Sequence, residues 1–409
     1  MGYFRDTLRG ISWMGALRSG TRTIAFVKIA VLARILLPEQ FGLVGIALLA
    51  LSLLEIMTET GINVFLIQEK DELEEYLDTA WIVSIARGII IALVLFLATP
   101  FIAAFFKSPQ AQNLLYLVAL IPLIRGFINP AIVRYQKELL FNKEFLFRFS
   151  IFSLDAFVAI IIALITRNAA SLIWGMVAGA IFEVIFSHLT IKPRPKPAFR
   201  GEQLKKVVNR GKWITLAGFF NYLFKEVDDI AVGRILNTAS LGIYQVAYKI
   251  SSLPITEIVD VFSRVTFPVF VKIADEPKRL KKAYFKTLTA VFLLTCLAGI
   301  FLFFFARPLV LILLGDKWLA AIPVIRILAF FGVIRSLTLA TQPLFLAVKH
   351  QEYATYVTLA GILGIGVSLM PLVAAYGIVG AGISALIGAL TAIPVNLFYV
   401  SKLFRSRSY

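Results

Sequence analysis

Long apolar stretches recur from one end of the sequence to the other, and they restrict the possible folds more than any other feature. A run of about 18 or more apolar residues with few charges is long enough to cross a bilayer as a helix. Hydrophobic residues occupy 59% of the 409 positions and only 16% are charged, whereas soluble domains are about half apolar and about a quarter charged. We therefore predict an all-α integral membrane protein.

The apolar stretches divide into about twelve predicted transmembrane helices, several of them separated only by short polar turns. The longest hydrophilic stretch, residues 192–211, is predicted to be a cytoplasmic linker between six-helix lobes at 1–191 and 212–409. The predicted spans lie at roughly 12–36, 41–66, 77–105, 112–134, 145–166, 170–191, 212–236, 240–271, 284–305, 319–348, 352–374 and 376–401.

An internal repeat relates the predicted lobes. At an offset of 200 residues, Ala-Arg-Ile-Leu at 33–36 matches Gly-Arg-Ile-Leu at 233–236, and Phe-Gly-Leu at 41–43 matches Leu-Gly-Ile at 241–243. Because six spans per lobe keep both lobes in one orientation, we expect a pseudo-two-fold axis along the membrane normal. The path of a transported molecule would then lie between the lobes.

Basic residues outnumber acidic ones, with 41 Lys+Arg against 24 Asp+Glu and a net charge of +17. If the N-terminus is cytoplasmic, most cations outside the spans fall in cytoplasmic loops, as the positive-inside rule requires. We therefore predict a multi-pass membrane protein with both termini in the cytoplasm. Membrane lipids explain the basic linker, and no nucleic-acid partner is expected.

Residues suited to metal binding or catalysis are scarce. The chain has one cysteine, Cys296, and two histidines, His188 and His350, so neither a disulfide framework nor a Cys/His metal site is expected. The predicted outer loops are short and carry no group of acidic or histidine residues. We expect no enzymatic activity and no cofactor.

Several ionisable side chains lie deep within the predicted spans. Each costs about 2.5–3.5 kcal/mol to insert at the bilayer centre, so they are expected to face a polar path or one another. They are Lys28, Glu55, Arg87, Arg125, Asp155, Glu183, Lys225, Glu226, Asp228 and Asp229.

The cations among the intramembrane residues indicate an anionic substrate, because the arginine fork binds phosphate through two parallel hydrogen bonds. Arg18 and Arg22 share one helix face, and an alternative is that they snorkel to the inner headgroups. The alternative for Arg125 and Arg335 is a structural pair with Glu183 and Asp260. The candidate substrate-binding residues are Arg18, Arg22, Lys28, Arg87, Arg125 and Arg335.

The acidic residues indicate pairing between the lobes or ion coupling. The offset of 200 places Lys28 opposite Asp228, and we hypothesise that the two meet in one conformational state. A local pair between Lys225 and Asp228 is the alternative. Asp228 and Asp229 are also candidates for binding a coupling H⁺ or Na⁺. The candidates for pairing or coupling are Asp228, Asp229, Lys225 and Glu55.

Short motifs spread over nearly the whole chain resemble those of a known family. They include Leu-Leu-Pro-Glu-Gln-Phe-Gly at 36–42, Val-Asp-Asp at 227–229, Arg-Val-Thr-Phe-Pro-Val-Phe at 264–270 and Tyr-Gly-Ile-Val-Gly at 376–380. Together they resemble the Wzx-like polysaccharide transporters of the multidrug/oligosaccharidyl-lipid/polysaccharide superfamily. The resemblance implies the two-lobed fold of the multidrug (MATE) and peptidoglycan-precursor (MurJ) transporters of that superfamily.

The resemblance also implies a function. Such a flippase moves a polyprenyl-pyrophosphate-linked oligosaccharide from the inner to the outer leaflet by alternating access, for lipopolysaccharide or exopolysaccharide synthesis. The implied partners are the lipid-linked oligosaccharide, membrane lipids and the polysaccharide polymerase machinery.

Two other functions occur among transporters of this fold. Relatives that flip the peptidoglycan precursor have two further C-terminal helices, and their absence after Tyr409 argues against that substrate. A cation-coupled antiporter exporting amphipathic drugs or metabolites is the alternative function, and it predicts a mainly acidic cleft.

Overall fold

The computed structural model describes residues 2–59, 73–197 and 225–406, and the single positions 66, 219, 222 and 223. All the regular secondary structure in this part of the chain is helical, which confirms the predicted fold class. The chain divides into two compact units, Met1–Val227 and Asp228–Tyr409. Most of the predicted linker at 192–211 lies outside the described residues, so the proposed lobe boundaries stay predictions.

The first unit begins with two long helices joined by a tight turn. Pro38 opens the second helix, where the absence of an amide hydrogen costs nothing, and the Gln40 side chain accepts a 2.8 Å hydrogen bond from the Leu37 amide. The helices of this unit are α1 (Gly2–Ile35), α2 (Pro38–Met57), α3 (Leu73–Phe105), α4 (Ala111–Val118), α5 (Leu120–Arg125), α6 (Arg134–Lys137), α7 (Phe141–Thr166) and α8 (Ala170–Thr190).

The second unit is formed by four long helices and by the end of another, α9, in which residues 225–235 are helical. The last helix is interrupted at Gly377, whose φ of 59° and ψ of −136° suit a residue without a Cβ atom. This interruption confirms the predicted turn between the last two spans. The long helices are α10 (Thr238–Lys272), α11 (Pro277–Leu313), α12 (Ala321–Ala347) and α13 (Gln351–Ser406).

Among the described residues, seven helices are long and apolar enough to cross a membrane, or eight if the bent pair Ala111–Arg125 and Pro130–Lys137 forms one span. The chain is therefore a multi-pass membrane protein. The number is below the predicted twelve for identifiable reasons. Helix α13 covers two predicted spans, α1 and α10 are more polar than the rest, and the seventh span is only partly described.

The prediction of one continuous fourth span at 112–134 is wrong. The helix stops at Arg125 and the chain bends by 73° before Pro130–Lys137. Proline disfavours helical geometry in the preceding residue, and Asn129 is accordingly extended, with its side chain accepting a 3.0 Å hydrogen bond from the Ala131 amide. Arg125 thus lies at a helix end rather than in mid-helix.

The break in the fourth span also holds the start of the predicted linker. Asn129 is fully buried, and its amide group donates to the carbonyls of Ile191 at 3.3 Å and Pro193 at 3.1 Å. Its backbone N–H donates to the Ser187 hydroxyl at 3.1 Å. Residues 187–193 are therefore attached to the segment that follows α5.

Candidate functional site

A polar cavity of about 280 Å³ lies within the first unit. Helices α2, α3, α5, α7 and α8 and the break after α5 all contribute to its wall. Guanidinium groups outnumber carboxylates, so the cavity favours an anion. Its charged lining residues are Glu55, Arg87, Arg125, Arg148 and Glu183.

The predicted topology places this charged lining near one side of the membrane. Glu55 and Glu183 lie in the second halves of α2 and α8, whereas Arg148 lies in the first third of α7. In the predicted arrangement α7 runs outward and α2 and α8 run inward. These positions therefore correspond to the same predicted cytoplasmic half.

Arg87 is held by the C-terminal end of α2. Its terminal nitrogen donates to the Glu55 carbonyl at 2.6 Å and lies 3.4 Å from the Glu59 carboxylate, while its Nε donates to the Thr58 hydroxyl at 3.1 Å. A cation that binds the last carbonyls of a helix also offsets the negative end of the helix dipole. Arg87 therefore secures the cavity wall and contributes positive charge to it.

Arg125 forms the predicted alternative pair with Glu183, through Nε to the carboxylate at 3.3 Å. Its two terminal nitrogens have no hydrogen-bond partner within the described ranges, and its side chain is 41% exposed against 15% for Glu183. The Glu183 carboxylate thus holds the guanidinium at its Nε atom. The two terminal nitrogens of Arg125 remain available for a ligand.

Arg148 lines the same cavity, and the sequence reasoning did not single it out. Its Nε donates to the Glu144 carboxylate at 3.0 Å, and its terminal nitrogens have no hydrogen-bond partner in the part of the chain that the structure describes. The buried Glu144 also accepts a 2.7 Å hydrogen bond from Gln136. The four-residue spacing of Glu144 and Arg148 indicates a pair, but nothing in the sequence shows that the pair faces a cavity.

Lys28 and Asp155 form an ion pair in the first unit, with Nζ and Oδ1 2.7 Å apart. Their side chains are only 14% and 17% exposed, so two of the intramembrane charges neutralise each other between α1 and α7. Asp155 packs against Gly175 and Gly179 of α8. Lys28 is not among the residues that line the cavity, and its pairing with Asp228 stays a prediction.

Reversing the charge of Lys28 gives a direct test of its partner. We expect Lys28→Asp to lower the melting temperature of the purified protein, because two poorly hydrated carboxylates would then face each other. Breaking a fully buried pair costs about 3–5 kcal/mol, and the residual exposure of this pair reduces that figure. Adding Asp155→Lys should restore the melting temperature, whereas adding Asp228→Lys should not. If Asp228→Lys restores the melting temperature of Lys28→Asp and Asp155→Lys does not, the result would instead support the pair between the lobes.

Two further intramembrane charges, Asp228 and Asp229, are hydrogen-bonded within the second unit. Asp228 accepts a 2.7 Å hydrogen bond from the Tyr244 hydroxyl and a 3.0 Å bond from the Asp229 amide. Gln245 donates to the Asp229 carboxylate at 3.1 Å. No ion pair involves Asp228 among the described residues, so the alternative Lys225–Asp228 pair is not observed, and Lys225 is exposed.

The other predicted substrate-binding arginines, Arg335, Arg18 and Arg22, do not line this cavity. Arg335 donates to the Tyr248 hydroxyl at 3.0 Å and lies 5.4 Å from the centre of the Phe331 ring. Arg18 and Arg22 are half-buried on α1, and the choice between substrate binding and snorkelling stays open for them. Of the predicted substrate-binding cations, the structure therefore brings Arg87 and Arg125 into one cavity.

Residues 31–323 match a family model described as "Polysaccharide biosynthesis protein". The lipopolysaccharide biosynthesis protein WzxC of Escherichia coli (strain K12) is 26% identical over 332 residues, which are 81% of this chain and 68% of that protein. The succinoglycan biosynthesis transport protein ExoT of Rhizobium meliloti (strain 1021) is 26% identical over 329 residues, or 80% of this chain and 66% of that protein.

Among solved structures, the chain is similar to the lipid II flippase MurJ in its inward closed conformation. The TM-score is 0.76 at 14% sequence identity, covering 97% of this chain and 90% of that chain. At this identity the similarity shows the fold alone. It confirms the predicted MurJ-like fold.

Proposed function

Because the chain belongs to the polysaccharide biosynthesis protein family, we propose that it is a flippase for a polyprenyl-pyrophosphate-linked oligosaccharide. It moves this molecule from the inner to the outer leaflet of a bacterial or archaeal cytoplasmic membrane, with both of its own termini in the cytoplasm. The names of two relatives, a lipopolysaccharide biosynthesis protein and a succinoglycan transport protein, and the flippase fold support this assignment.

The observation that carries the proposal is the cationic cavity of the first unit. Arg125 and Arg148 are each fixed through Nε to a carboxylate, so their terminal N–H groups can bind the oxygens of a diphosphate. Such charge-assisted hydrogen bonds are about twice as strong as neutral ones. A pyrophosphate between a sugar and a lipid is the part of the cargo that fits this chemistry.

Transport needs no covalent step. The pyrophosphate enters the cavity from the predicted cytoplasmic half. The polyprenyl chain stays in the hydrocarbon of the bilayer, so its apolar surface is never exposed to water. A change between two conformations then exposes the cavity to the other side, and the cargo must bind both conformations for turnover. Polymerase machinery that acts on the outer leaflet would receive the product.

Ion coupling is a separate part of the proposal. Asp228 and Asp229 remain the candidates for binding H⁺ or Na⁺, and Tyr244 and Gln245 hold their carboxylates in place. The excess of arginine in the first-unit cavity disfavours a cationic drug as the cargo of that cavity.

Reconstitution tests the proposed activity. The purified chain is placed in vesicles that contain a labelled polyprenyl-pyrophosphoryl sugar, and the label accessible to a membrane-impermeant reagent is followed with time. We expect transfer between leaflets to be faster than in protein-free vesicles. Efflux of a cationic dye from the same vesicles, with no movement of the lipid-linked sugar, would contradict the proposal and favour the antiporter.

A further inference from the structure

A separate cavity, of about 480 Å³, lies in the first unit beside the end of α8. It is lined by Arg134 at the start of α6 and by Lys192, Pro193 and Arg194, which follow α8. These four residues define the basic cavity, since all of them except the proline are cationic. Among the described residues, the basic cavity and the first-unit cavity that contains Arg125 have no lining residue in common.

Hydrogen bonds to the backbone hold both arginines of the basic cavity. Arg134 donates from Nη1 to the Lys192 carbonyl at 2.6 Å, and its Nε lies 3.4 Å from the Glu138 carboxylate. Arg194 donates from Nε to the His188 carbonyl at 3.1 Å. Because His188 lies in the last turn of α8, Arg194 also offsets the negative end of that helix dipole. The two guanidinium groups are therefore positioned by the surrounding backbone.

Two cations of the basic cavity retain donors for a ligand. The Lys192 ammonium forms no hydrogen bond or ion pair with any residue that the structure describes, and the terminal nitrogens of Arg194 have no partner among those residues. Both side chains are exposed. An ammonium group and a guanidinium fork can together bind the oxygens of a phosphate. The basic cavity therefore suits a phosphate group.

An exposed apolar stripe on α8 precedes these cations. Ile181, Ile185 and Leu189 follow one another at intervals of four residues, so they share one face of the helix, and all three side chains are exposed. Helix α8 is long and apolar enough to cross a membrane. Lys192 and Arg194 follow within five residues of Leu189. A phosphate group with apolar chains attached would match both features.

We propose that the basic cavity binds the headgroup phosphate of an anionic membrane phospholipid, whose acyl chains lie along the apolar stripe of α8. The predicted topology places the end of α8, the sixth span, on the cytoplasmic side. Basic pockets on that side of membrane proteins bind anionic lipid headgroups, and each Lys or Arg near the surface strengthens the attraction about fivefold. This lipid is not the transported molecule, so the inference goes beyond the proposed function.

The bound lipid would also stabilise the fold of the first unit. The carbonyl of Pro193 accepts a 3.1 Å hydrogen bond from Asn129, in the break after α5. A lipid that holds Lys192 and Arg194 in place therefore also favours the attachment of residues 187–193 to that break. We expect the melting temperature of the protein to rise when this lipid binds.

The test follows the melting temperature of the purified full chain in a neutral detergent during titration with each probe. The probes are phosphatidylglycerol, phosphatidylcholine with the same acyl chains, and inorganic phosphate. The dependence of the melting temperature on probe concentration gives an apparent affinity. For the wild type we expect phosphatidylglycerol to bind at least about tenfold more tightly than phosphatidylcholine. Inorganic phosphate should bind more weakly than phosphatidylglycerol, because it has no chains to cover the apolar stripe.

Matched variants separate this site from a general attraction of anionic lipid to a basic protein. Lys192→Ala combined with Arg194→Ala should reduce the preference for phosphatidylglycerol to about twofold or less. Lys278→Ala combined with Lys282→Ala removes the same charge from the start of α11, on the same predicted side, and should leave the preference unchanged. Lys192→Gln alone keeps the contact of Arg194 with α8, which guards against a folding defect, and should lower the preference about fivefold.

Three results would overturn the lipid site. Equal affinities of the wild type for the two lipids would show that the headgroup charge is not recognised. An equal loss of preference in the two double variants would show that the lipid responds only to net charge. Inorganic phosphate binding as tightly as phosphatidylglycerol, with the same dependence on Lys192, would assign the basic cavity to a free phosphate ion. Transfer of the lipid-linked sugar is measured separately, so none of these results bears on the flippase function.

Discussion

Replacing Arg125 with alanine is expected to slow transfer of the lipid-linked sugar between leaflets by about tenfold to a hundredfold. A hydrogen bond to a charged group contributes about 1.5–3 kcal/mol, and about 1.4 kcal/mol corresponds to a tenfold change in affinity. The terminal nitrogens of Arg125 face no other described partner, so the substitution removes binding capacity for the diphosphate directly. The measurement is the initial rate in reconstituted vesicles.

Further variants show whether this loss comes from the fork, the charge or a folding defect. Arg125→Lys keeps the charge but loses the planar fork, so we expect an intermediate rate. Arg125→Ala also leaves Glu183 without its cation, and combining it with Glu183→Gln should recover stability but not transport. Arg326→Ala is the matched control, because Arg326 is exposed on α12 and packs 5.5 Å from the Phe303 ring. Wild-type rates for Arg125→Ala would exclude the cavity as the diphosphate site.

Replacing Gly88 with alanine is expected to reduce both stability and transport. A Cβ atom at Gly88 would lie 2.4 Å from the Pro122 carbonyl oxygen and 3.2 Å from Cα of Gly126. These are backbone atoms, so α3 and α5 would have to separate. Overpacking of this kind costs about 1–3 kcal/mol. Both helices line the first-unit cavity, and their separation would change the spacing of its arginines.

The effect of Gly88→Ala is best measured against a glycine with free space around it. A Cβ atom added at Gly366 of α13 would have no atom within 4 Å, so Gly366→Ala should leave stability unchanged or raise it by up to about 1 kcal/mol through helix propensity. Thermal unfolding of the purified proteins and the vesicle assay give the two readouts. A melting temperature for Gly88→Ala at or above that of the wild type would contradict the close crossing of α3 and α5.

The sequence identified several of the charged residues that line the first-unit cavity, but not the cavity itself. Arg125 was recognised as an intramembrane charge with Glu183 as a candidate partner, because both stand within apolar runs. Arg148 was missed since it lies near a predicted helix end, where a cation normally contacts headgroups or solvent. Hydropathy indicates how deep a residue lies, but it does not indicate which neighbouring helix the side chain meets.

Lys28 has a partner in its own unit that the sequence reasoning did not identify. The structure pairs Lys28 with Asp155, 127 residues away in the sequence, whereas its pairing with Asp228, the equivalent position in the repeat, stays a prediction. Equivalence by repeat says that two residues occupy similar places in their own halves. It does not say that the two residues are near each other.

The sequence by itself determined that this is a helical, multi-pass membrane protein. It did so because each span must satisfy its own backbone hydrogen bonds in the hydrocarbon, which makes a span recognisable from its local composition. It also showed that ionisable side chains lie deep within the spans, where their insertion is unfavourable. Only the tertiary structure decided which charges meet, where the fourth span breaks, and which arginines share a cavity. Those features depend on contacts between helices that are distant in sequence, and such contacts are set by the packing of side chains rather than by local hydrophobicity.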